Sequence, residues 1–396
     1  MIYELTTNKN KLRPLVINLE HRPVLEAIIE GSSVGRIFVD DLSAPKSAIV
    51  WTFESEGELV FFLLGESNNT QFNEAFQNFF NTEIKSLAKK NGWEEYYLTP
   101  LSEWSEKTLK DIFGDKTLIK DTAKYFLLNP KTFRELHSEW KKSIPEGYSV
   151  QRVESEDVFK KNREFLPDFA DLTAWVSYDR FKEYGFAYCL VKNETKEIIA
   201  GCTTAYVVHG KDPRCELGVA THVNFRRRGF ATLVSCATIE EALKRNLKVI
   251  VEIWSINEAS IKTHQKLGFE HLCDGIFYGS LFDELQHYLT MSHHFYVNFN
   301  KPQESVNAFN KALEIQALTG QKISEVFYYY AACAYAKNKN IDQALLSLVG
   351  AIESGLDNPE RFLERLKTEN AFVELRGTKK FGEIVNSLIK SIKKEN

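Results

Sequence analysis

The sequence predicts an α/β (α+β) chain in which one unit, a mixed central sheet flanked by helices, occurs in two tandem copies and is followed by an all-α domain of helical hairpins. Three observations carry this. Short apolar runs alternate with amphipathic segments through residues 1–292. The order of these elements repeats at the separation of Gly114 and Gly268. Beyond that, small and aromatic residues recur at helical spacing.

Composition sets bounds. A chain of 396 residues suggests two or three domains at roughly 150 residues each. Fifty Lys and Arg against 54 Asp and Glu leave a net charge of −4, which argues against an electrostatic nucleic-acid binder. No apolar run approaches the ~18 residues of a membrane-spanning helix. The opening MIYELTTNKNKLRPL has no basic stretch leading into an apolar core, so no signal peptide is expected and a cytoplasmic location is. Cys189, Cys202, Cys215, Cys236, Cys273 and Cys333 form no CxxC pair and no zinc spacing. They read as reduced, buried thiols, and no metal is expected.

Taken in order, SAIVWTF and LVFFLLG read as strands, FNEAFQNFFNTEIKSLAKK as an amphipathic helix, EEYYLT as a strand and EWSEKTLKDIFG as a helix. Proline and polar residues from Asn129 to Pro145 mark a boundary, giving segments 1–130 and 131–283. In the second segment YSVQRV is a strand and SEDVFKKNREFL a helix. FAYCLVKN and EIIAGCTTAYVV are strands joined by the turn Asn193–Lys196, and CELGVATHV is another strand. A helix follows with Phe230, Leu233, Val234 and Ala237 along one face. LKVIVEIW is a buried strand, and NEASIKTHQKLGF a short helix closed by Gly268.

Residues 284–396 change character. Ser305, Phe309 and Ala312 share their spacing with Ala344, Leu348 and Ala351, and each block has a tyrosine nine residues upstream, Tyr296 or Tyr335. Such residues let two helices of a hairpin pack closely and let hairpins stack. The region resembles tetratricopeptide (TPR) repeats, with the loop ALTGQKI absorbing extra length and Ser305 standing where alanine is usual. An unrelated antiparallel bundle is the alternative. The segment from Asn358 to Ile392 reads as a further helical pair.

The chemistry concentrates in ELGVATHVNFRRRGFA, residues 216–231. A strand ends at Val223 and a helix starts near Gly229. A helix N-terminus presents unpaired N–H groups and partial positive charge, which together make an anion site. Gly229 and Ala231 leave room for close approach, and Arg226, Arg227 and Arg228 add charge, so the loop reads as a pyrophosphate cradle. It is neither a Walker A loop nor GxGxxG.

Arg226-x-x-Gly229-x-Ala231 resembles the R/Q-x-x-G-x-G/A signature of the GNAT superfamily of N-acetyltransferases. Asn257-x-x-Ser260-x-x-x-His264-x-x-x-Gly268-Phe269 resembles the N-x-x-[AS]-x-x-x-Y-x-K-x-G-F segment of the same superfamily. The resemblance runs from Tyr148 to about Leu289 and implies a GNAT fold with acetyl-CoA as acyl donor. By that resemblance, Thr221 and Val223 would meet the pantetheine arm. Arg226, Arg228, Gly229, Phe230, Ala231 and Thr232 would hold the pyrophosphate, and Asn257 would touch the pantetheine. An amine would attack the thioester directly, which calls for a base to take its proton and a donor for the oxyanion.

Glu216 sits where histone-type members carry a glutamate base; the alternative is a structural carboxylate. His264 replaces the usual tyrosine acid, and a surface or packing role is its alternative. In DFADLTAWVSYDRFKEYGF the carboxylates Asp168, Asp171 and Asp179 accompany Trp175 and Tyr178, a mixture that suits a cationic amine; a polar surface helix is the alternative. The W-x-S-x-x-x-F pattern here and Glu216–Thr221 resemble the zwittermicin-resistance branch, whose members also carry a diverged GNAT-like first half. In the first half GESNNTQF replaces the arginine loop, so that half is expected not to bind acetyl-CoA and to cover a sheet edge or wall the amine site. The expected activity is acetyl transfer to a primary amine of a small molecule. The alternatives are a protein or peptide acceptor recruited through the TPR-like region, and a non-catalytic acyl-CoA-binding scaffold.

Overall fold

The N-terminal half contributes six strands: β1 Tyr3–Glu4, β2 Arg36–Val39, β3 Ser47–Ser55, β4 Glu58–Gly65, β5 Glu95–Pro100 and β6 Ile119–Leu128. The following half contributes β7 Tyr148–Arg152, β8 Ala187–Lys192, β9 Ile198–Val208, β10 Arg214–Thr221, β11 Lys248–Trp254 and β12 Phe269–Leu281. The structure is a computed structural model that describes residues 1–55, 58–114 and 119–395. Its residues fall into two compact units, Met1–Ser280 and Leu281–Asn396.

All twelve strands join one sheet in the order β1-β2-β3-β4-β5-β12-β6-β11-β10-β9-β8-β7. β4 with β5 and β10 with β11 run parallel, so the element order repeated in sequence is repeated in space. The last strand of each half is exchanged. β6 lies against β11, and β12 lies between β5 and β6. Alternation explains how β6 fits: Phe126 and Leu128 enter the core of the second half, while Ala123 and Tyr125 face the other way and pack with Phe277.

Among the described residues, ten α-helices flank this sheet: α1 Pro23–Glu30, α2 Thr70–Phe79, α3 Lys85–Asn91, α4 Glu106–Phe113, α5 Pro130–His137, α6 Glu156–Asn162, α7 Pro167–Ala170, α8 Tyr178–Tyr184, α9 Phe230–Lys244 and α10 Glu258–Lys266. A π-helical turn, Phe80–Ile84, joins α2 to α3, so the single helix read from sequence is continuous but locally underwound. Phe61, Phe76, Phe80, Tyr96 and Phe113 build the core of the first half through edge-on ring contacts. In the second half α9 covers one face of β8, β9 and β10, whereas α1, from the first half, lies on β9. Val24, Ile28 and Tyr206 share that second core. The elements before Ser47, and β6, were not apparent from sequence patterning. α6 ends at Asn162, four residues before the expected helix does.

The second unit is helical: α11 Glu284–Val297, α12 Pro302–Thr319, α13 Glu325–Lys337, α14 Ile341–Glu353, α15 Pro359–Thr368 and α16 Lys379–Glu395. α11 pairs with α12 and α13 with α14 as two hairpins, and α13 also meets α11 and α12. Phe309, Ala312, Ala344, Leu348 and Ala351 are fully buried at these contacts. Ser305 is buried too, and its hydroxyl donates to the Ser292 carbonyl at 2.7 Å, which satisfies a polar group inside a helix–helix contact.

Candidate functional site

The site begins with a fork in the sheet. β10 and β11 are in register only at Arg214–Lys248, Cys215–Val249 and Glu216–Ile250. β10 then continues to Thr221 against β9 alone, and β11 continues to Trp254 against β6. A bulge accompanies the parting: Glu216 opposes Tyr206, but Leu217 opposes Thr204. At the open end of the fork the Thr221 hydroxyl is buried with no hydrogen-bond partner, and its carbonyl accepts from Arg226 Nε at 3.2 Å.

The loop that follows has a strained turn. Arg227 (φ 63°) and Gly229 (φ 78°) are both left-handed, which aims the start of α9 back toward the fork. Leu233 N–H makes the first helical bond, to the Gly229 carbonyl at 3.2 Å, and no side chain caps the helix. The N–H groups of Phe230, Ala231 and Thr232 thus precede any intrahelical partner. A Cβ on Gly229 would meet nothing within 4 Å, so the approach is open. Phe230 anchors the helix start against Tyr148, ring centroids 5.1 Å apart. Arg226, Arg227 and Arg228 are exposed around it, with Arg228 stacked over Phe225. Val223 is exposed on the same loop. Asn257 is the exposed N-cap of α10, accepting from Ser260 N–H at 3.1 Å.

The N-terminal half lacks both features. β4 and β5 stay in register from Glu58–Glu95 through Leu63–Pro100, and Leu101 N–H still donates to the Leu63 carbonyl. A Cβ on Gly65 would lie 1.9 Å from the Lys46 carbonyl oxygen. Asn69 closes the start of α2 itself: its Oδ1 accepts from Phe72 N–H, and its Nδ2 donates to Asp40 and to Ser47.

On the face of the sheet opposite α9 lies a cavity of about 780 Å³. Gly218 and Thr203 form its floor, Asp168, Asp171 and Trp175 one wall, and Glu58 of the N-terminal half another. Glu216 alternates onto this same face, two residues before Gly218, and is half-buried. Glu95, in register with Glu58, has its carboxyl raised above the usual range by burial and by the Glu58 charge. Of the residues expected to bind substrate, Trp175 lines the cavity but is 5% exposed, with its indole N–H donated to the Thr204 carbonyl. Tyr178 packs on Phe159 and Phe181, and Asp179 is exposed in the first turn of α8; neither is among the lining residues.

His264 is 4% exposed and packs edge-on against Phe269. Its Nδ1 lies 2.9 Å from the Ser260 carbonyl, so it donates there, and burial lowers its pKa. The imidazole is therefore a neutral packing element at neutral pH. Sequence reasoning missed Arg22, Glu58, Tyr125 and Glu252. No group of three His, Cys, Asp or Glu placed to hold a metal occurs among the described residues.

A forked parallel strand pair with an uncapped, glycine-led helix at its open end defines the GNAT class of fold. The family model described as GNAT acetyltransferase matches residues 13–275, and the chain belongs to that family. No curated protein sequence matches it. Among solved structures, a GCN5-related N-acetyltransferase-like protein from Streptococcus suis is similar at 17% identity, with a TM-score of 0.51 over 69% of this chain and 98% of that one. A tandem GNAT protein from the clavulanic acid biosynthesis pathway is similar at 12% identity, with a TM-score of 0.46 over 72% of this chain and 99% of that one.

Proposed function

We propose that the chain transfers an acetyl group from acetyl-CoA to a primary amine of a small molecule. One observation carries this reading: the fork beyond Glu216–Ile250, with the uncapped N-terminus of α9 at its open end, occurs in the second half and has no counterpart in the first. The residues fit the donor. Phe230, Ala231 and Thr232 offer N–H groups to a pyrophosphate, Arg226 and Arg228 offer charge, and Gly229 leaves the approach clear. Thr221, which ends β10, and Val223, on the turn that follows, would meet the pantetheine in this reading, and Asn257 lies at the start of α10.

In this reading the amine enters from the 780 Å³ cavity and Glu216 takes its proton. The nitrogen lone pair then forms a bond to the thioester carbon, the C–S bond breaks, and the second proton of the nitrogen passes to the departing thiolate, so that CoA leaves as the thiol. His264, buried and neutral, has no part in protonating that thiolate. Asp168, Asp171 and Glu58 suit a cationic acceptor, which supports a small amine such as an aminated metabolite or antibiotic of the zwittermicin-resistance type. The second unit is read as TPR-like on its two stacked hairpins, and the six free thiols fit a reducing, cytoplasmic setting.

Calorimetric titration with acetyl-CoA tests the reading. Wild type should bind at micromolar concentration, Gly229→Glu should lose at least about tenfold, and Glu216→Gln should bind yet turn over about 100-fold more slowly. A folded wild type that does not bind acetyl-CoA defeats it.

A further inference from the structure

The wall of the 780 Å³ cavity formed by residues 156–176 is held differently at its two ends. Its helices are short: α6 has seven residues and α7 four. So few backbone hydrogen bonds leave a segment with low local stability, and its place then depends on what it packs against. The far end is pinned to the first half of the chain. Val34 N–H donates to the Ala174 carbonyl at 3.1 Å, and Val176 N–H donates to the Ser32 carbonyl at 3.3 Å. That half is in turn tied to β11 by Arg22, 4% exposed, whose Nη1 lies 3.8 Å from Glu252 Oε2. The middle of the wall rests on the sheet, with the Phe169 ring over Gly201.

The near end rests on the loop that follows β10. Phe165, between α6 and α7, stacks on His222 with ring centroids 3.9 Å apart and planes 6° from parallel. Arg163, Pro167 and Asp168, all within three residues of Phe165, line the cavity. His222 is itself held in place. Its N–H donates to the Ile199 carbonyl at 3.0 Å, and its Nδ1 accepts from Asn224 N–H at 3.4 Å. The row of rings continues along the loop. Phe225 lies 5.8 Å from His222 between centroids, and the Arg228 guanidinium lies 5.5 Å from the Phe225 centroid. Contacts thus run from an exposed arginine beside the start of α9 to the wall of the cavity.

We propose that the Phe165–His222 stack couples the two substrate sites, so that a ligand fixing residues 221–229 also fixes the cavity wall at residues 163–172. Phe165 and His222 are then positioning residues for the amine. The ligand is a CoA thioester, so the inference rests on the acetyl-CoA reading. An occupied loop presents the His222 ring in one place, which lowers the cost of ordering the wall against it, and by reciprocity an occupied wall tightens the donor. A stack of this kind is worth roughly two- to tenfold in such an equilibrium.

The test is amide hydrogen exchange on the full chain, with and without saturating CoA, which needs no acceptor. In wild type the amides of residues 163–172 should exchange about fivefold more slowly once CoA is bound. His222→Phe keeps a ring and should keep that protection. His222→Asn keeps an acceptor for Asn224 N–H but loses the ring, and Phe165→Leu keeps apolar bulk but loses the ring; both should lose the protection. Amides of β9 and of the middle of α9 serve as the reference for an intact fold, and Phe165→Leu carries the comparison if His222→Asn fails that check. A purely structural role would speed exchange by the same factor with and without CoA. Wild type that binds CoA and leaves residues 163–172 unprotected overturns the coupling, and so does full protection in Phe165→Leu, which would mean that CoA touches the wall directly. Wild type that binds no CoA defeats the donor reading itself, and the coupling with it.

Discussion

Glu216 and Ile250 are the last in-register pair between β10 and β11, and every distinctive feature of the site lies at or beyond them. Past this pair each strand has a neighbour on one side only. The Thr221 hydroxyl is left without a partner, and the left-handed Arg227 and Gly229 turn the chain so that α9 starts at the opening. The equivalent strands of the first half stay zipped through Leu63–Pro100, where Asn69 caps the helix that follows.

The two halves should therefore differ in binding. Calorimetry should report one acetyl-CoA per chain. Two sites would mean that β4 and β5 open in solution, against their unbroken register.

The exchange of β6 and β12 should make the halves inseparable. Neither half has a complete sheet without a strand from the other. Residues 1–130 and 131–280 expressed apart should each lack cooperative unfolding by circular dichroism, and residues 1–280 should show a single transition. Independent, cooperative folding of either half would contradict the exchange.

Gly201→Ala should be destabilising. An added Cβ would meet Phe169 Cδ2 at 2.1 Å, and that ring is fully buried against Phe159 beside the cavity. A loss of about 1–3 kcal/mol in urea denaturation is expected. An unchanged midpoint would show that α7 shifts away freely.

Acid should weaken the fold through two histidines. Burial lowers His264, and burial together with Arg22 pushes His21 down to about 4. Both have folded values below those of the unfolded chain, which consequently binds more protons. Their contribution is complete above about pH 6.5 and is lost as pH falls through that value toward the folded ones. The melting temperature should decline from pH 7.5 to 5, and less steeply in His264→Leu. An equal slope in that variant would assign the acid sensitivity to other groups.

Much of this was legible in sequence. Short apolar runs marked β3, β4, β8, β9, β10 and β11, and the helical stripe from Phe230 to Ala237 marked α9. The glycine and arginines of residues 226–229 marked the loop that the structure turns into an uncapped helix start, because local backbone freedom and charge are properties of a short segment. Where GESNNTQF replaces the arginine loop, the structure has strands that stay in register and a helix capped by Asn69. His264 was legible only as a position in a motif; whether it faces solvent depends on Phe269 and the surrounding core.

What local pattern cannot carry is partnership between distant segments. Alternation says that β6 has two faces, but not that it leaves its own half to lie beside β11. It places Glu252 and Glu216 on strands without saying that those strands share a fork. It is silent on Arg22, which precedes Glu252 by more than half the chain. The sequence by itself determined most of the elements, their repeated order and the glycine- and arginine-rich loop before α9, since each arises from residues close together in the chain. Only the tertiary structure decided which strands part, which half supplies the walls of the cavity and which buried cation meets which carboxylate, since those depend on burial and register between segments that no spacing connects.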